Sequence, residues 1–223
     1  MKLTIKLLVP CIFFISILSF GQKKGSFSLE TNYGLQANFF VNTYDENTPF
    51  KASFLKKNVI GSIGGITLQY HFNKKSAISL AYDRSANTKE INYKEIVNGV
   101  EYFIDDFHIR HTNHFYQLGY EHSISTKKTK WILAVGLVYA RMQQQEIDIS
   151  AIPRGIYILE RNYKSYGLEE GGVYIGIQHS WPIDKHFELG IRSKVFYLIS
   201  VNTLEAITLT PTLTYTFHKK GNY

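Results

Sequence analysis

The stretch Ala206 to Phe217 reads AITLTPTLTYTF, and its reading decides the fold. Ile207, Leu209, Pro211, Leu213, Tyr215 and Phe217 share one parity, while threonine occupies 208, 210, 212, 214 and 216. Successive side chains leave a pleated backbone on opposite sides, so a period of two held this long is a strand with one apolar and one small polar face. Its length and aromatic ending suit a bilayer-spanning strand, which needs roughly 9–11 residues.

The same alternation recurs upstream, interrupted by turn residues, and helical periodicity is almost absent. Phe27 to Val41 sets Phe27, Leu29, Tyr33, Leu35 and Phe39 against Ser28, Glu30, Asn32, Gln36 and Asn38. Comparable segments lie near 60–72, 78–83, 116–121, 131–140, 173–181 and 187–197. With the last strand they predict an all-β chain, an eight-stranded antiparallel up-and-down transmembrane β-barrel.

Alternation alone does not say which face is inside, because soluble and membrane barrels exchange inside for outside. Three features choose. The polar face is rich in small residues, among them Gly65, Gly119, Ala134, Gly136, Ala140, Gly176, Gly190 and the five threonines, as a narrow filled interior requires. Aromatics mark both ends of the apolar face, with Phe27, Tyr70, Phe72, Tyr120, Trp131, Trp181, Phe187, Tyr215 and Phe217 at one level and Phe39, Tyr82, Tyr139 and Tyr197 at the other. Short connections near 73–76, 123–130 and 182–186 alternate with long ones near 42–59, 84–107 and 143–171, the pattern of short periplasmic turns and long outer loops.

Residues 1–21 begin with Lys2 and Lys6, continue through an apolar run from Leu7 to Phe20, and end in Ser19-Phe20-Gly21 before Gln22. That is the layout of a secretory signal peptide cleaved after Gly21, and the run is shorter than the roughly 20 residues of a spanning helix. Residues 22–223 are then the barrel domain. Cys11 is the only cysteine and leaves with the leader, which excludes disulfide and cysteine chemistry from the mature chain. The formal charge of +7 loses Lys2 and Lys6 and becomes +5, carried mostly in turns at Lys74-Lys75, Lys127-Lys128, Lys130 and Lys219-Lys220. No basic stripe with stacking aromatics runs along one face, so nucleic acid is not an expected partner.

The Phe20-Gly21-Gln22 junction and the Tyr215-Thr216-Phe217 ending give the chain a resemblance. It resembles the small OmpA/OmpX-type outer-membrane barrels, and in particular the porin-like outer-membrane β-barrel domain proteins of Bacteroidota. The resemblance implies a monomer in the outer membrane of a Gram-negative bacterium, in contact with outer-membrane lipid and lipopolysaccharide and delivered by the barrel assembly machinery. An assembly signal of that kind ends in an aromatic, and either Phe217 or Tyr223 supplies it.

Candidate chemistry is sparse. Glu30, Glu121, Glu188, Arg192 and Lys194 lie on the polar face and are expected to form an interior ion-pair network, since charges away from water must be partnered; no spacing fixes a catalytic separation between the carboxylates. His108, His111 and His114 sit on one strand, where the outer two are roughly 20 Å apart and the middle one faces the other way, so solvated rim positions are expected rather than a metal site. His122-Ser123-Ile124-Ser125 and His179-Ser180 pair neighbours that face opposite sides, and nothing orients a serine nucleophile. No cofactor is expected. The function expected is non-enzymatic, structural or surface-binding through the outer loops and not a large pore, with a lipid A deacylase or acyltransferase as the alternative. A hairpin over Glu90 to Asp105, reversing at Asn98-Gly99 with Ile91, Tyr93, Val97, Val100 and Tyr102 along its arms, is the expected site for a surface protein partner.

Overall fold

Every barrel strand is built on the two-residue alternation: β1 (Ser26–Asn38), β2 (Ile60–His71), β3 (Ser76–Val97), β4 (Val100–Ser125), β5 (Lys130–Gln144), β8 (Gly167–Pro182), β9 (Phe187–Leu198) and β10 (Thr203–Phe217). Two further short strands, β6 (Glu146–Ile152) and β7 (Gly155–Arg161), pair only with each other. The computed structural model describes residues 25–39, 60–125, 129–144, 146–152, 155–161 and 167–217. The leader at 1–21, the connection at 42–58 and the residues after Phe217 lie outside the described residues.

The eight long strands close in the order β1-β10-β9-β8-β5-β4-β3-β2, and all their pairings are antiparallel. The first and last strands seal the barrel from Phe27 opposite Phe217 to Asn38 opposite Ala206. Closure leaves no sheet edge in the wall, which is the condition for a β-structure to sit in lipid.

The apolar face points outward. In β10, Ile207, Leu209 and Leu213 are 38%, 53% and 41% exposed, whereas Thr208, Thr210 and Thr212 are 3%, 4% and 2% exposed. A soluble barrel would show the reverse. Around the end that carries Phe27 and Phe217, rings touch along the outer surface: Phe27 and Tyr70 at 4.9 Å between centroids, Phe187 and Tyr215 at 5.0 Å, Tyr215 and Phe217 at 4.8 Å, and His179 at 4.3 Å from both Trp131 and Trp181. At the other end Tyr116 joins the expected ring, 5.2 Å from Tyr82 and 6.0 Å from Tyr139. On β5 the two girdles are Trp131 and Tyr139, roughly 26 Å apart along the strand, with Leu133, Val135 and Leu137 facing lipid between them.

Two short turns at the Phe27 end use the same device. Asn73 Oδ1 accepts the backbone N–H groups of Lys75 and Ser76, each at 2.8 Å, and Asp184 Oδ1 accepts those of His186 and Phe187 at 2.7 and 2.8 Å. A side chain that satisfies two turn amides fixes the reversal. The same two bonds hold the Asp184 carboxyl below its usual range.

Three features depart from the expectation. The segments expected as two barrel strands and a separate hairpin are two unbroken strands, β3 and β4, because the two stay paired on both sides of the register shift between Ile91 and Tyr93, where β4 changes parity. The connection from Gln143 to Glu170 holds β6 and β7, whose Ile147-Asp148-Ile149-Ser150 run had a period of two too short to stand out. The interior is not polar throughout. Toward the Tyr116 end, Phe115 stacks on Phe196 at 4.5 Å, with Ile63, Met142, Leu198 and Tyr174 buried around them. The phenol of Tyr174 lies over Gly119 and Gly136, where any side chain would collide with it.

Candidate functional site

The inner wall below that apolar plug is a charged cluster assembled from most of the strands. Arg192 on β9 is its centre, 2% exposed. Its Nη1 lies 2.8 Å from Glu30 Oε1, its Nη2 donates to Glu30 Oε2 at 3.1 Å and reaches Glu121 Oε1 at 3.5 Å, and its Nε donates to Gln178 Oε1 at 2.6 Å. Glu30 Oε2 also accepts from Gln178 and Thr214, each at 3.1 Å. Glu121 accepts from Gln69 at 2.9 Å, and Gln69 accepts from Ser28 at 2.6 Å. The Arg192–Glu30 pair is thus a buried ion pair with one charge-assisted hydrogen bond, made through Oε2, while Oε1 is held by proximity to the guanidinium alone.

Two residues further along β9, Lys194 forms a second centre. Its Nζ donates to Asp83 Oδ2 and to Gln117 Oε1, both at 2.8 Å, while Asp83 also accepts from Gln117 at 2.7 Å and Asn32 at 2.8 Å. The Lys194 ammonium stands 5.7 Å from the Tyr174 ring centroid, joining this centre to the plug. Three carboxylates, Glu30, Glu121 and Asp83, thus meet two cations.

Of the five residues singled out by sequence, the structure brings Glu30, Glu121 and Arg192 together and places Lys194 beside them with Asp83. Glu188 stands apart at the Phe27 end, a quarter exposed, where Lys130 Nζ and Ser180 Oγ each lie 3.4 Å from its Oε2. Asp83, Gln69, Gln117 and Gln178 were missed as members. Asp83 shares the parity of Ser79 and Ala81, so the signal was present, but parity says nothing about which strands face each other across a barrel.

The histidines divide. His111 is buried at 5% exposure on the inner face of β4, not on a solvated rim, because the barrel wall extends as far as the His111–Gln144 rung. His114 lies on the outer face with its Nδ1 2.8 Å from Tyr82 Oη. His179 faces outward among the girdle tryptophans while Ser180 faces inward to Glu188, so this pair is split by the wall. His71 Nε2 and Ser28 Oγ do meet, at 2.7 Å, with Ser28 fully buried. Among the described residues no group of three or more His, Cys, Asp or Glu converges as a metal site.

The hairpin expected over 90–105 is the distal part of β3 and β4. Asn98 and Gly99 have φ of 52° and 79°, the two positive values of a type I′ turn, with Val97 opposite Val100. Ile91, Tyr93 and Tyr102 lie on its paired backbone, Tyr93 opposite Ile104 and Glu95 opposite Tyr102. Ile96 and Val100 are 65% and 54% exposed.

An eight-stranded barrel is just wide enough for side chains to fill, and the plug and the ion pairs occupy this one. Planar-bilayer recordings of the refolded barrel are expected to show no steady, large conductance; a stable high-conductance state would mean the cluster opens.

No protein-family model and no curated protein matches the sequence. Solved structures match it. Neisserial surface protein A has a TM-score of 0.54 at 13% identity, covering 87% of this chain and 100% of that one. A major outer membrane protein from Thermus thermophilus has a TM-score of 0.52 at 10% identity, again covering 87% of this chain and 100% of that one. Likeness at such identities is a likeness of fold, and with the outward apolar belt it makes this chain a small eight-stranded transmembrane β-barrel.

Proposed function

We propose that the chain is a non-enzymatic outer-membrane protein that acts through its outer loops as a surface-binding element, with the buried ion pairs serving structure rather than chemistry. The observation that carries this reading is the reach of β3 and β4 beyond the barrel. Among the described strands, β2 pairs with β3 only as far as Ala86, and β5 pairs with β4 only as far as His111. From Thr88 to Val97 and from Val100 to Arg110 the ladder consists of these two strands alone among the described strands. An arm of this kind offers strand edges to which a partner segment can add by backbone hydrogen bonding.

The arm lies at the end opposite the short turns, which faces outward if the short turns are periplasmic. The same orientation goes with a leader at 1–21 removed on export, a mature chain of 22–223, a monomer folded by the barrel assembly machinery, and the resemblance to porin-like barrel domains of Bacteroidota. Neisserial surface protein A is a surface protein by name, and we place this chain similarly. The lipid-modifying alternative has Ser28 and His71 as its nearest geometry, but a fully buried hydroxyl inside the wall does not meet an acyl ester.

Deleting Lys94 to Tyr102 and closing the gap with a short turn is expected to leave the barrel folded, with heat-modifiable mobility on gels, and to lower binding of cells to surfaces and partners. Unchanged adhesion by a folded deletion variant would take the function away from the arm.

A further inference from the structure

The outer surface of β3, β4 and β5 carries two consecutive rungs of unlike chemistry. On the lower, Tyr82 is opposite Tyr116 and Tyr116 opposite Tyr139, the rings 5.2 and 6.0 Å apart. On the next rung away from the membrane centre, Arg84 is opposite His114 and His114 opposite Arg141. Both arginines are exposed. The tyrosine row belongs to the girdle at the headgroup level, so the cationic row stands where the phosphates of the leaflet lie.

We propose that Arg84, His114 and Arg141 form a docking rung for a phosphate of an outer-leaflet phosphorylated glycolipid, seated on the tyrosine row. The occupant follows from charge and depth together. The two arginine backbones are two strand spacings apart, roughly 10 Å, and side chains of that length converge over the imidazole between them. Guanidinium groups bind phosphate oxygens by paired N–H donors, and His114, held by Tyr82 Oη at 2.8 Å, contributes a fixed polar floor. Tyr82 also stacks on the His114 ring at 6.1 Å, which fixes the orientation of both. Glu169 ends the rung, its Oε1 3.8 Å from Arg141 Nε, with both side chains about half exposed. Among the described residues one carboxylate stands against two guanidinium groups, which leaves the rung cationic, and an exposed pair at that distance yields readily to a phosphate. Below the rung, Leu118 and Leu137 continue the apolar face of β4 and β5, so a bound headgroup would place its acyl chains on lipid-facing wall.

The test uses the full-length mature barrel in phospholipid nanodiscs, titrated with bisphosphorylated lipid A and with the same lipid lacking both phosphates. The R84Q/R141Q variant is expected to bind bisphosphorylated lipid A about thirtyfold more weakly, at about 1 kcal/mol for each arginine at a lipid surface, and R84K/R141K to keep most of the affinity. K74Q/K75Q, at the other end of the barrel, is expected to bind as the unmodified protein does. Equal binding by a heat-modifiable R84Q/R141Q variant overturns the proposal, as does equal binding of the dephosphorylated lipid. A comparable loss in K74Q/K75Q would show diffuse attraction instead of a site, and displacement of lipid A by millimolar inorganic phosphate would identify free phosphate as the ligand; either result also overturns it.

Discussion

Replacing Arg192 with methionine is expected to cost the barrel about 3–5 kcal/mol, the usual penalty for removing one partner of a buried ion pair. The size follows from what is left behind. Glu30, with no exposed surface, and Glu121, 4% exposed, would lose their guanidinium partner, and Gln178 would lose the donor to its Oε1. Methionine fills much of the volume, so the loss reports charge and hydrogen bonding more than a cavity. Urea unfolding in lipid vesicles, followed by the fluorescence of Trp131 and Trp181, measures it. Adding E30Q to R192M is expected to recover part of the loss, because the neutral amide no longer sits as an uncompensated charge, and the double-mutant cycle isolates the coupling. A midpoint unmoved by R192M would mean that water already screens the cluster.

The parity of side chains was legible in the sequence and the partnership across the barrel was not. The threonine row of β10 and the leucine and valine row of β5 announce lipid on one side and a filled interior on the other, because the pleat sends neighbouring residues to opposite faces. Which interior residues touch depends on strand tilt and stagger, and neither leaves a local signal. Glu188 and Arg192 are four residues apart on one strand and share a face, yet Glu188 pairs with Lys130 near the short turns while Arg192 pairs with Glu30 on β1. Asp83 likewise finds Lys194, from a strand not adjacent to its own.

The apolar plug was obscured for a different reason. Phe115 and Phe196 occur at inward parity, and a rule that gives aromatics to the lipid face reads them as interruptions. Inside the barrel Phe115 is accommodated opposite Ala140 on β5, and Tyr174, beside Phe196, lies over Gly119 and Gly136. Large residues on some strands are matched by small ones on others, a complementarity spread over the circumference that no single stretch of sequence displays.

Adjacent residues on β5 test this division most sharply. Val135 is 52% exposed, midway between Trp131 and Tyr139, and V135R is expected to cost about 2–4 kcal/mol by placing a guanidinium near the bilayer midplane. Gly136 faces inward, and a Cβ there would stand 2.6 Å from the Gly119 Cα and 2.7 Å from Tyr174 Cε1, besides striking the Leu118 carbonyl oxygen. Two of those three obstacles are backbone, so G136L is expected to shift the β4–β5 pairing or prevent closure, at or above the roughly 1–3 kcal/mol typical of overpacking. The two failures differ in their dependence on the solvent of the barrel. The V135R penalty arises from hydrocarbon and should shrink in small detergent micelles, where the side chain reaches water, and grow in thicker bilayers. The G136L penalty arises within the wall and should be the same in both. Refolding yields by heat-modifiable mobility, measured in micelles and in vesicles of two chain lengths, separate them: a V135R cost indifferent to lipid, or a G136L cost that tracks bilayer thickness, would require the two faces of β5 to be exchanged.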